Sequence, residues 1–385
     1  MIYLDNAATT FPKPNIVYDK ITEAMKDYGA NPGRSGHDLS MRMNREIFSA
    51  RMAVTRFIGG DDPMSLIFTL NCTDSLNIAI FGLAEKGDHV ITTAIEHNSV
   101  LRPLKYLEKE GMIELTIVEA SPEGIVDPKD IEAAIKENTK FCVTTIMSNL
   151  IGSIVDYKEI GKTLKEKNIY YILDAAQGLG YLPINLKEDP VDLLCFPGHK
   201  GLFGPMGTGA LYINGDIPLK PFRIGGTGSF SLELDPPEVL PDRYESGTEN
   251  GPGIIGMGAG AEFIESIGLE KVKDHEDRLK EFFIEGLKKI ENVILYGPLN
   301  ESQGPVITMN IKGKDSSEVA QYLNEAGIAV RAGFHCAPLA HKAIGTIDLG
   351  AVRFSLSYFN TEEELKKVLQ VVEKIAKGDK EYGSI

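Results

Sequence analysis

Three groups of residues carry the chemistry this sequence has to offer. Asp174 ends the apolar run in YYILDAAQG. A buried acid is costly unless paired, so it reads either as a helix cap or ion-pair partner, or as the counter-ion of a heterocyclic nitrogen or a metal. Lys200 lies in PGHKGLFGPMGTGALYI, with glycines at 198, 201, 204, 207 and 209. Glycines let backbone approach a ligand closely, and a desolvated lysine loses charge and becomes nucleophilic. The plain alternative is a surface lysine on a flexible loop. No GxxxxGK[ST] order is present, so a nucleotide P-loop is not supported. Thr73, Asp74 and Ser75, in NCTDSLN (71–77), sit where a strand passes into a helix. Free amides at a helix start favour a phosphate, although an ordinary cap has the same look. Together these groups suggest pyridoxal phosphate: a lysine amine for the aldehyde, an anion for the pyridine nitrogen and a helix start for the phosphate.

Such residues need a scaffold. SLIFTL (65–70), HVITTA (89–94), IELTIVEA (113–120), KFCVTTIM (140–147), IYYILDAA (169–176) and VDLLCFPG (191–198) are apolar runs separated by helical stretches around 74–87, 99–110 and 156–168. Continuous rather than alternating runs are the mark of strands buried on both faces. Ligands in such sheets sit beyond the strands' carboxyl ends, where the three groups fall. The pattern changes after about residue 255. A long helix is expected over 258–291, with Leu279, Phe282, Phe283, Leu287 and Ile290 on one face. GPVITMNIKG (304–313) alternates like a half-buried strand. Asp315 with Glu318 reads as a capping pair for a helix over 316–326 closed by Gly327, and Thr361 with Glu364 as a capping box. The fold class is α/β, a doubly wound parallel sheet with a small α+β domain. The expected division is an N-terminal segment 1–15, a large domain 16–255 and a small domain 256–385.

Composition narrows the function. The 385 residues are 43% hydrophobic and 25% charged, average for a globular chain. Forty Lys and Arg against 55 Asp and Glu give a net charge of −15, a field that repels nucleic-acid backbones. No apolar run approaches a membrane span, and MIYLDNAATT lacks the basic-then-apolar pattern of a signal peptide. Cys72, Cys142, Cys195 and Cys336 lie far apart with no CxxC pair, and the seven histidines lack zinc-like spacing. That usage fits a reducing cytoplasm without a metal centre. Three of the cysteines read as small buried apolar residues.

From YLDNAATT (3–10) to RFSLSYFNT (353–361), the chain resembles the class V branch of fold-type I pyridoxal phosphate enzymes, and most of all the cysteine desulfurases. The motifs that carry the resemblance are TDSLN, IEHNS (95–99), SNLIG (148–152), DAAQG, GHKG, ESGTEN (245–250) and RAGFHCAP (331–338). It implies a large domain with a mostly parallel mixed sheet, a small C-terminal domain and a homodimer. Lys200 would form the imine with the cofactor and shuttle the Cα proton. Asp174 would pair with the pyridinium nitrogen. His97 would stack on the ring, where a neutral, low-titrating imidazole is the better partner, and act as a catalytic acid or base near the substrate. Gln177 and Asn149 would touch the ring hydroxyl, and Thr73 and His199 the phosphate, with Thr248 reaching in from the second subunit. Arg353 would clamp the substrate carboxylate, and that ligand would answer its charge in an apolar run, with a structural ion pair as the plain alternative. Cys336 would accept the sulfur. Asn6, Arg34 and His37 are candidates for contacts at the entrance.

The sequence departs from the common pattern at Pro197, where many desulfurases carry Ser or Thr, and at Phe334 in place of a second histidine. The implied activity is conversion of L-cysteine to L-alanine, with a persulfide on Cys336 passed to a sulfur-acceptor protein or a reductant. Selenocysteine lyase is the first alternative. A class V aminotransferase or β-elimination lyase is the second, and a non-catalytic binding protein on the same fold the third.

Overall fold

The structure is a computed structural model that describes residues 1–33 and 36–378. Arg34 lies outside the described residues. The chain opens with β1 (Ile2–Tyr3), α1 (Asn15–Asp27) and α2 (Asp38–Phe57). Alternating elements follow: β2 (Leu66–Thr69), α3 (Cys72–Leu83), β3 (Asp88–Thr93), α4 (Asn98–Lys109), β4 (Ile113–Val118), α5 (Pro128–Ala133), β5 (Thr139–Thr145), α6 (Tyr157–Glu166), β6 (Tyr170–Asp174), β7 (Leu193–Pro197) and β8 (Gly209–Ile213). They form a seven-stranded sheet in the order β2-β8-β7-β6-β5-β3-β4. The strands from β7 to β4 are parallel to their neighbours, and β8 runs antiparallel to both β2 and β7.

The apolar runs thus become strands as expected, and the sheet is mixed. Residues 209–213 read from sequence as the tail of a glycine-rich loop. They form a fully buried strand because Ala210, Leu211, Tyr212 and Ile213 fill the gap between β2 and β7. Two apolar clusters, one on each face of the sheet, make the core. Ile91, Cys142, Leu173 and Leu194 face one way; Val90, Phe141, Val143, Ile172 and Leu193 face the other.

The long helix expected over 258–291 is two helices, α7 (Gly251–Ile267) and α8 (Leu269–Leu287), parted at Gly268 with φ +95°. An L side chain rarely adopts that φ, so the chain turns there. α7 packs against α1 and α2, whereas α8 packs against β10 (Val306–Ile311) and α11 (Glu362–Lys377). The pattern change near residue 255 therefore falls inside α7.

The remaining elements are β9 (Val293–Tyr296), α9 (Ser316–Glu325), β11 (Ile328–Ala329), β12 (Arg331–Gly333), α10 (Pro338–Ala343) and β13 (Ala351–Ser355). A four-stranded antiparallel sheet runs β12-β13-β10-β9, and β1 pairs with β11. β10 is buried at every residue, not half-buried, because it is an inner strand covered on one face by α8 and α9 and tied on the other by Thr308 to the Leu150 carbonyl. Asp315 caps α9, Gly327 follows with φ +79°, and Thr361 and Glu364 form both bonds of a capping box on α11. No helix among the described residues is long and apolar enough to cross a membrane.

Candidate active site

A cavity of about 220 Å³ lies at the carboxyl ends of the parallel strands. β2 runs out into Asn71, Cys72 and Thr73, and β3 into His97 and Ser99. β5 leads to Thr145 and Asn149, β6 ends on Asp174 with Ala176 and Gln177 beyond it, and β7 runs into His199 and Lys200. Arg331 and Arg353 of the small sheet, with His335 and Cys336 of the loop after β12, complete the wall with Ala7 and Ala8. Nine of the ten residues singled out in the sequence share this one space. Thr248 does not: it is exposed and lines separate shallow clefts with Gly247 and Glu249.

Asp174 is 2% exposed. Its Oδ1 accepts the Ala176 amide at 2.9 Å and the Cys72 thiol at 3.4 Å. Burial raises the carboxyl, offset in part by the Ala176 amide, Lys200 and Cys72. Burial lowers Lys200 below the ordinary lysine range, against the pull of Asp174 and Cys72. The lysine is not on a free loop. Thr10 Oγ1 donates to the Lys200 carbonyl at 2.9 Å, and the His199 carbonyl accepts from Thr10 N at 3.1 Å and Thr9 Oγ1 at 3.0 Å. Gly201 follows with its Cα against Leu179, where a Cβ would meet the Leu179 carbonyl oxygen at 2.0 Å. Cys72, read from sequence as a small buried residue, is buried in an apolar cluster and is also a hydrogen-bond donor in the cavity wall.

The helix start is capped by Asn71, whose Oδ1 accepts from Asp74 N at 3.0 Å, and not by Thr73. The Thr73 hydroxyl is 2.8 Å from Ser99 Oγ, which is 2.8 Å from His97 Nδ1. His97 caps α4 by accepting the Ser99 amide. Burial first, then Lys200, Arg331, Arg102 and Arg353, push its imidazole down to about 4. Its low titration arises from the protein alone.

Arg353 is 1% exposed, and a ligand is not its only partner. Nη2 pairs with Asp5 Oδ1 at 2.6 Å and Nη1 donates to the Asn149 carbonyl at 2.9 Å. The structural ion pair, the plain alternative to a ligand, is thus present: Asp5, 348 positions earlier in the chain, is brought beside Arg353 because it bridges to Ser355 at the end of β13. The opposing strand places Arg331 directly across from Arg353.

The Cys336 loop is tightly held. His335 and Cys336 have φ of +51° and +55°, the Asn98 amide donates to the Cys336 carbonyl at 2.8 Å, and Asn149 Nδ2 donates to the His335 carbonyl at 2.7 Å. The His335 ring stacks on His341, whose Nδ1 lies 2.7 Å from Thr346 Oγ1. Cys336 itself is exposed, whereas Cys72, Cys142 and Cys195 are buried.

Three buried polar atoms among the lining residues have no protein partner: Asn149 Oδ1, His199 Nδ1 and Arg353 Nε. Unpaired buried polar atoms are rare and costly, and together they mark a site built for a polar ligand. An acid on a strand end, a lysine beside it and an exposed threonine at a helix start match the acceptor, amine and anion site that pyridoxal phosphate needs.

The family model for "Aminotransferase class-V" matches residues 2–368. The chain belongs to the class-V aminotransferase family. Among relatives in this family, a "Probable cysteine desulfurase" of Methanothermobacter thermautotrophicus is 36% identical over 97% of this chain and 94% of its own. "Cysteine desulfurase IscS" of Dictyoglomus turgidum is 33% identical over 97% of this chain and 94% of its own. The apo structure of a cysteine desulfurase from Thermococcus onnurineus superposes with a TM-score of 0.93 at 36% identity, covering 98% of this chain and 95% of that one.

Sequence reasoning missed five residues of this class-V site: Asp5, Thr10, Ser99, Arg331 and His335. All five stood within quoted stretches, and three were bystanders of a better-known neighbour, Ser99 in IEHNS and Arg331 and His335 in RAGFHCAP. Asp5 and Thr10, in YLDNAATT, had no local signal because their partners lie 348 and 190 positions away, respectively. Of the entrance candidates, Asn6 donates to the Ser355 carbonyl at 2.9 Å and His37 caps α2.

Proposed function

We propose that this chain is a pyridoxal 5'-phosphate-dependent cysteine desulfurase that converts L-cysteine to L-alanine and carries the sulfur as a persulfide on Cys336. The observation that carries this reading is an exposed thiol on the wall of the same cavity that holds Lys200 and Asp174. An aminotransferase has no use for that thiol; a sulfur acceptor must be both near the substrate and open to the next acceptor.

Asp174 would hold the ring nitrogen, Thr73 and His199 with the start of α3 the phosphate, and Gln177 and Asn149 the ring hydroxyl. His97 would lie against the ring face. Bound there, the cofactor supplies an aldehyde for the substrate amine and an electron-accepting ring for the pair left at Cα. Lys200, depressed by burial, is the base that takes the Cα proton and the acid that returns it. Arg353, with Arg331 opposite, orients the substrate carboxylate. The Cys336 thiolate attacks the substrate sulfur, the C–S bond breaks with its electron pair going to Cβ, and Cβ takes a proton. One cysteine and one thiol thus become one alanine and one persulfide. The persulfide passes to an acceptor protein or a thiol reductant.

The working unit in this proposal is a homodimer. Thr248 lies off its own chain's cavity, and α2 exposes Leu39, Phe48 and Met52 as apolar contact surface. A reducing cytoplasm suits a chain whose cysteines are all free.

Purified protein loaded with cofactor is expected to release alanine and sulfide in equal amounts from L-cysteine and a reductant. Cys336→Ala is expected to lose about a hundredfold or more in sulfide output while still binding cofactor. Full sulfide output from that variant would defeat the reading. Preferred turnover of selenocysteine would move the substrate to its selenium analogue and leave the residue roles in place.

A further inference from the structure

Ser99 has no part in the mechanism above, yet it is 8% exposed, lines the cavity and touches two of its working residues. We propose that Ser99 is a hydroxyl relay that ties anion binding at Thr73 to the hydrogen-bonding state of His97. The inference rests on the reading of Thr73 as a phosphate ligand.

An amide nitrogen can only donate. The Ser99 N–H lies 3.0 Å from His97 Nδ1, so Nδ1 holds a lone pair and the neutral ring carries its hydrogen on Nε2. Ser99 Oγ sits 2.8 Å from that same Nδ1 and 2.8 Å from Thr73 Oγ1. Each hydroxyl has one hydrogen to give. Without an anion, Thr73 donates to Ser99 and Ser99 donates to His97. An anion on Thr73 takes the threonine hydrogen, because a bond to a charged oxygen is the stronger one. Thr73 then becomes an acceptor, the Ser99 hydroxyl turns to it, and Nδ1 keeps only the amide. Losing one donor from its lone pair makes the imidazole a better base. The charges acting on the ring are those of Lys200, Arg331, Arg102 and Arg353; the other titratable groups on the cavity wall are Cys72, Asp174, His199, His335 and Cys336. None belongs to the hydroxyl chain. Pro197, at the end of β7, offers no competing hydroxyl.

The test uses the full chain, freed of cofactor and labelled with ¹⁵N-histidine, with and without saturating inorganic phosphate. The His97 signals are assigned by their loss in His97→Asn. In the wild type and in Ser99→Thr, phosphate is expected to raise the His97 pKa and shift its Nδ1 signal. In Ser99→Ala, only the direct effect of the phosphate charge remains, and the rise is smaller by roughly half a pH unit. Equal shifts in wild type and Ser99→Ala would overturn the relay. His199, the other residue assigned to the anion, separates the two failures. If its signal moves but the His97 difference is missing, the relay alone falls; if phosphate moves neither ring, the anion-site reading falls and the relay with it.

Discussion

At the scale of single residues, the site works by holding charges where water would not leave them. Arg353 is the clearest case: a guanidinium 1% exposed, held by Asp5 at 2.6 Å and by the Asn149 carbonyl at 2.9 Å, with Nε unpartnered. Asp5 acts on a substrate only through Arg353, so it is a positioning residue. Asp5→Asn keeps an acceptor but removes the charge. It is expected to cost about 2 kcal/mol in stability, read by denaturant unfolding. KM for L-cysteine should rise several-fold while kcat changes less, because the arginine loses its fixed orientation and Lys200 does not. A fall in kcat with KM unchanged would place Asp5 in the chemistry instead.

At the scale of elements, the segment after β1 is the brace of the site. Over six residues it reaches Arg353 through Asp5, the 199–200 turn through Thr9 and Thr10, and Gln177 through the Ala7 carbonyl, which accepts Gln177 Nε2 at 3.0 Å. β1 in turn pairs with β11, the strand just before β12 of the small sheet, so one short stretch fixes both sides of the cavity. Thr10→Val keeps the shape and deletes the donor to the Lys200 carbonyl. The expected loss is about 1 kcal/mol of stability, with slower borohydride-trappable attachment of cofactor to Lys200 and little change in the unfolding m-value. Unchanged attachment kinetics would show that the Lys200 turn stands without the brace.

At the scale of the whole molecule, buried acids set the response to pH. Burial lifts Glu276 to about 8 despite the Tyr358 backbone bond, and lifts Glu96 to about 8 against its bonds from Thr93 and Thr145. Between the ordinary carboxyl range and pH 8, the folded chain holds protons there that the unfolded chain has released. Stability therefore falls as pH rises through that window. Glu276→Gln removes one such proton, so its unfolding free energy should drop between pH 6 and 8 by about 1–2 kcal/mol less than the wild type's. Parallel profiles would mean that Glu276 stays ionised in the fold. Assembly is tested at the same scale. Chains carrying Lys200→Ala are co-assembled with chains carrying Thr248→Ala. If Thr248 serves the neighbouring subunit, each mixed dimer keeps one intact site and binds one cofactor tightly. If it serves its own chain, no intact site is left and tight binding is lost.

Much of this protein is legible without coordinates. Continuous apolar runs announce buried strands, the residues beyond their ends announce the cavity, and capping pairs such as Thr361 with Glu364 announce helix starts, because these signals act over a few neighbouring positions. The same holds for Asp174 and Lys200, each written into a local motif. Gly268 shows the limit: an apolar period runs across 258–291, and only the positive φ demanded by packing α7 and α8 on different partners breaks it in two. β8 became a strand only because β2 and β7 left a slot for it. Asp5 beside Arg353, Thr10 on Lys200 and Ser99 between Thr73 and His97 were decided by tertiary structure alone. Hydrogen bonds act over about 3 Å of space whatever the distance along the chain, and sequence patterns record only the latter.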